Sequence, residues 1–157
     1  MRHPFLFVAL AAERFAPLFA QTDRELAAIG ARRMSVEEKS GTPCRVSLAD
    51  AEVGETVLLV PFVHHDVDSP YRASGPIFVR RDAETARPVP GEVPAMFLHR
   101  LLSVRAYDAG AMMVDATVAP GTDLADVVGR LLANPDVHYL HVHNAAPGCF
   151  NCSVRRV

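Results

Sequence analysis

The chain lacks any long run of one charge, any long apolar run, and the even set of cysteines that a disulfide framework needs. Its 16 basic and 18 acidic residues leave a net charge of -2. With no basic footprint, neither nucleic acid nor a membrane surface is expected as a partner. No segment approaches the roughly 18 apolar residues that a spanning helix requires. Arg2 and His3 precede a short apolar run that begins with a proline and continues into Phe15, Leu18 and Phe19, which makes a poor secretory signal. Cys44, Cys149 and Cys152 are an odd number, so the expected compartment is the reducing cytoplasm. Lysine is nearly absent too: Lys39 stands alone against 15 arginines. Arginine forks suit carboxylates and phosphates, but a coding bias toward Arg, Ala and Val explains the excess equally well. No internal repeat, low-complexity tract or phosphate-binding glycine loop is present.

What is there is one domain's worth of alternating strands. A chain of this length buries about 70% of the surface its unfolded form exposes and needs no disulfide or metal to fold. Strands are expected at residues 5–8, 32–36, 56–63, 77–80, 98–107, 112–118, 137–142 and 149–157. Pro61 falls within the third of these, which places it at a bulge or a sheet edge. Thr22 and Glu25 form a capping-box pair opening a short helix that stops at Gly30. A second helix spans residues 123–133, with Leu124, Val127, Val128, Leu131 and Leu132 at helical spacing, Thr122 as its cap and Asn134-Pro135 as its stop. Asp108 and Gly110 read as a hairpin turn. The expected fold is a single α+β domain over residues 1–157: a mixed, mainly antiparallel sheet of about six to eight strands with helices packed on it.

The densest chemistry lies at residues 138–152, HYLHVHNAAPGCFNC. Side chains alternate along a strand, so Tyr139, His141 and His143 share a face. The turn residues 144–148 then return the chain, bringing Cys149 toward His143. Two imidazoles one pleat apart suit a divalent metal such as zinc, iron or manganese, with further ligands drawn from Cys149, His64, His65 or Asp66. Otherwise one histidine packs in the core while the other donates a hydrogen bond. Cys149 with His143 also makes a nucleophile pair that Asn144 could orient. Its bland counterpart is a buried, inert thiol. Cys149-x-x-Cys152 on a strand faces two sides and closes a disulfide only if the chain turns there.

Residues 64–76 form a long irregular polar stretch in which Tyr71, Arg72 and Ser74 offer a cation and hydroxyls to a carboxylate or phosphate. The alternative pairs Arg72 with Asp66 or Asp68. Asp115 reads as an outward-facing strand residue.

The strings TPCRVSLADAEVGETVLL, SPYRASGPIFVR, RAYDAGAMMVDA and YLHVHNAAPGCF resemble, in that order, the bacterial domain family of unknown function DUF1203. The resemblance covers nearly the whole chain and implies that Cys44 and Cys149 occupy family positions while Cys152 usually has no counterpart. It implies no activity. The functional expectation is a pocket for a small anionic molecule with His and Cys chemistry. Its catalytic candidates are His141, His143 and Cys149, and its ligand-binding candidates are Tyr71, Arg72, Ser74, Asn144, Cys44 and Arg45. A homo-oligomer is compatible with this reading. The competing expectation is a non-catalytic binding module whose His and Cys residues only build a polar network.

Overall fold

The computed structural model describes residues 4–157; Arg2 and His3 lie outside the described residues. Among the described residues eight strands form two antiparallel sheets, with few helices. The larger has the order β1-β8-β7-β5-β6, from β1 (Phe5–Val8), β5 (Leu101–Tyr107), β6 (Met113–Pro120), β7 (Tyr139–Asn144) and β8 (Phe150–Arg156). The smaller has the order β2-β3-β4, from β2 (Arg32–Ser35), β3 (Thr56–His65) and β4 (Ala73–Arg80). The strand count matches the sequence, but the single mixed sheet it suggested is two antiparallel ones. The division follows the apolar residues. Leu58, Val60, Ile77 and Val79 build a core with Phe15 and Leu26 of the N-terminal segment, separate from the core of the larger sheet.

Helix α1 (Asp23–Ala28) carries the full capping box: the Glu25 amide donates to Thr22 Oγ1, and the Thr22 amide donates to the Glu25 carboxylate. Helix α2 (Leu124–Leu132) buries Leu124, Val128, Leu131 and Leu132, in the same core as Leu102, Val104, Leu140, Val142 and Cys152. That i, i+4, i+7, i+8 spacing is the apolar stripe of a surface helix. Each fully buried leucine contributes about 2 kcal/mol. Thr122 does not cap α2. It sits inside a 3-10 turn, Gly121–Asp123, and no side chain caps the helix. Backbone contact fixes this start instead: the Gly121 amide donates to Arg100 O at 2.8 Å, and a Cβ on Gly121 would lie 1.6 Å from Phe97 O.

Strand β3 runs to His65, so both adjacent histidines belong to the strand and the irregular stretch shortens to residues 66–72. Pro61 faces Pro76 of β4, just past the last residue of β3 that β2 pairs, and the bulge follows between Phe62 and His65. Losing an amide is tolerated where one side of the strand has no ladder. Among the described residues no helix is long and apolar enough to cross a membrane.

Candidate functional site

Strand alternation and register decide what gathers on the face of the larger sheet turned away from α2. Strand β5 sets Tyr107 across from Tyr139, Arg105 across from His141 and Ser103 across from His143. The end of β3 lays His64 and His65 over this row. His65 packs on Tyr107 with ring centroids 4.3 Å apart and on His141 at 4.8 Å. His64 stacks flat on Phe150 and meets His143 edge-on at 5.0 Å. Four imidazoles and two phenols thus join the two sheets.

Two ring tautomers follow from their partners, because a carbonyl can only accept. His65 Nδ1 donates to Tyr71 O at 2.8 Å, so its Nε2 accepts from the Tyr139 hydroxyl at 2.6 Å. His143 Nδ1 donates to Gly148 O at 3.0 Å, leaving Nε2 a bare lone pair. His143 Nε2, His141 Nδ1 and His64 Nδ1 are all buried without a hydrogen-bond partner among the described residues. Burial, with neighbouring imidazoles and Arg105 adding to it, lowers His141 to about 3 and His64 to about 4. His143 is also lowered to about 4 by burial, despite its bond to Gly148. These rings are neutral at physiological pH. Among the described residues no group of three or more His, Cys, Asp or Glu side chains is arranged to hold a metal ion. The cluster is closed, with ring edges and faces packed on one another.

The β7–β8 turn brings Cys149 back, and the hydrogen-bond partner of its sulfur is Asn144. Asn144 Nδ2 donates to Cys149 Sγ at 3.2 Å, and Asn151 Nδ2 donates to Asn144 Oδ1 at 2.9 Å. Behind them stands Arg45, with no exposed surface. Its Nε donates to Phe150 O at 2.7 Å and its Nη1 to Pro43 O at 2.5 Å. Among the described residues no carboxylate pairs with Arg45. Desolvation accordingly lowers its pKa, and Cys149 is the group that most opposes the shift.

Asn144 also lines an open groove of about 360 Å³, together with Pro43, His99, Arg100, Ala146 and Pro147. Arg100 is committed there: it grips the buried Asp50 carboxylate with both terminal nitrogens, at 2.6 and 3.2 Å, and donates to Met96 O and Ser40 O. His99 Nε2 lies 3.2 Å from the same carboxylate. The residues that line this groove come from three separated segments. His99, Asp50, Arg100 and Arg105 had no local spacing that could single them out in the sequence.

The remaining candidates scatter. Tyr71 reaches the imidazole cluster through its carbonyl and through an edge-on ring contact with Tyr107. Arg72 pairs with Asp66 at the surface, and Ser74 lines a different groove beside Gly30, Arg32 and Pro61. Cys44 Sγ is buried and accepts from the Ser47 and Arg80 amides, and the Cys152 thiol is pushed up by burial in the α2 core. Asp115 is exposed.

No curated protein matches the chain, and neither does any solved structure. A family model does, that of the protein of unknown function DUF1203, over residues 41–156. That span holds Arg45, Asp50, His99, Asn144 and Cys149 as well as all four clustered histidines, so groove and cluster alike are features of a chain that belongs to the DUF1203 family.

Proposed function

We propose that the chain binds a small anionic molecule in the groove beside the β7–β8 turn, with Cys149 behind its wall, bonded to the lining residue Asn144. One observation carries this reading: Arg45 is fully buried and, among the described residues, no carboxylate meets it. A buried charge is costly unless paired. Carbonyl oxygens solvate Arg45 without cancelling its charge, and in this reading that charge favours an anion at the wall formed by Pro43 and Asn144. His99 and the Asn144 amide add hydrogen-bonding groups on the open side.

In this reading His141 and His143 act through the scaffold. The bond from His143 to Gly148 O fixes the turn that forms the groove wall, and the packed imidazoles brace one sheet against the other. A non-catalytic module is the second reading, favoured by the closure of that cluster. Three free thiols support a reducing, cytoplasmic setting.

The test is calorimetric titration of the protein with inorganic phosphate and with acetate at low salt. Saturable binding with a Kd of about 1 mM or tighter, on the order of 4 kcal/mol, is expected, weakening as sodium chloride is added. Heats of dilution alone would exclude an anion site.

A further inference from the structure

We propose that the outer face of the smaller sheet is the surface through which two copies of this chain pair about a two-fold axis.

Strand register defines the face. Residues directly across from one another in an antiparallel pair point the same way, so Arg32 shares its side with Leu59 and Phe78, Met34 with Val57 and Arg80, and Pro61 with Pro76. The opposite side is already filled: Leu58, Val60, Ile77 and Val79 pack there on the N-terminal segment. An antiparallel sheet with one face in water alternates apolar inside with polar outside. This sheet does not. On its outer face Met34, Pro61 and Pro76 are exposed, and Leu59 and Phe78 are half-buried. The Val57 end is covered, in a small cluster with Val36 and Ala51. Two hollows of about 470 and 410 Å³ adjoin on this face at Met34, which lines both. A contiguous apolar surface of this kind marks a site of contact.

The charges select a second copy as the occupant. Two of the charges around this face are matched within the chain, Arg80 by Glu55 and Lys39 by Glu52. Arg32, Glu37 and Glu38 are exposed and have no ion-pair partner among the described residues. Arg32 lines one hollow, and Glu37 and Glu38 line the other. The trough therefore carries a cation at one end and anions at the other, so it complements its own image turned end for end. Arg32 and Glu37 are separated by at most about 18 Å of extended chain, and Met34 lies between them. A two-fold axis in the plane of contact, crossing β2 beside Met34, sets Arg32 of each copy against Glu37 and Glu38 of the other, and the assembly closes at two copies. Met34, unbranched and adaptable, then enters a hollow of the opposite copy. The two sheets stack as the halves of a sandwich, about 10 Å apart.

The experiment is sedimentation of the full chain over a concentration series, beside two charge variants at these exposed positions: Arg32→Glu, and the double variant Glu37→Arg with Glu38→Arg. The wild-type chain is expected to dimerise with a Kd on the order of 10 μM, as suits a contact of modest area. Each variant alone sets like charges against one another at both ends of the trough and should weaken the dimer roughly tenfold or more, with circular dichroism unchanged. Mixed one to one, the two variants should form a heterodimer about as tight as wild type, because every contact again joins opposite charges. Wild type that stays monomeric at about 0.5 mM overturns the proposal and leaves the trough to a partner of different chemistry. A dimer that neither variant weakens, or variants whose mixture pairs no better than each alone, overturns it as well by placing the contact elsewhere.

Discussion

Acid should loosen this fold well above the range in which carboxylates titrate, because neutral histidines form the joint between its sheets. His141 is held at about 3 and His143 at about 4, both chiefly by burial, whereas an unfolded histidine titrates near 6.5. The unfolded chain therefore takes up protons first as the pH falls below about 6.5, and stability declines until the folded values are reached. At pH 5 each of the two rings costs about 2 kcal/mol relative to neutral pH, on the order of 4 kcal/mol together. His64, lowered to about 4 but only partly buried, adds less after solvent screening. Such a loss is a large share of a typical total of about 5–15 kcal/mol. Glu55 is lowered by its bond to Arg80, so its contribution is present above its ordinary value and vanishes only below it, in a separate and more acidic window. The assay is urea unfolding followed by circular dichroism at neutral pH and at pH steps down to about 5. His141→Phe should recover about 2 kcal/mol of the acid loss. A free energy of unfolding that changes by less than about 1 kcal/mol over that range would refute the reasoning.

Two further outcomes are expected from the same geometry. Nitrogen-15 spectra at pH 7 should show His143 and His65 with the proton on Nδ1; an Nε2–H form of either would contradict the bonds to Gly148 O and Tyr71 O. Gly121→Ala should destabilise by about 3 kcal/mol, read from urea midpoints, because the new Cβ meets Phe97 O; a neutral effect would mean that the backbone there is free to shift.

Local rules made part of this legible. The alternation of Tyr139, His141 and His143 follows from strand geometry, the capping box of Thr22 and Glu25 from side-chain length, and the return of Cys149 from the turn chemistry of residues 144–148. The partners of these residues were not legible, because they come from far along the chain. Arg45 reaches Phe150, and Asp50 joins Arg100. The register shift between Val142 and His143, with His143 tied to Gly148 O, leaves Cys149 beside Asn144. Thr122 carried a cap's chemistry, but the close approach of Gly121 to Phe97 set the helix start. The split into two sheets likewise depends on which cores the strands share, a property of tertiary contact.

The most direct test of the central claim is an inorganic phosphate titration watched by nitrogen-15 spectra of the Arg45 Nε and Asn144 Nδ2 groups. The account predicts saturable shifts at both, following one binding curve, with the Nδ1 signals of His65 and His143 unchanged. Shifts at neither group, or shifts confined to the imidazole cluster, would contradict it.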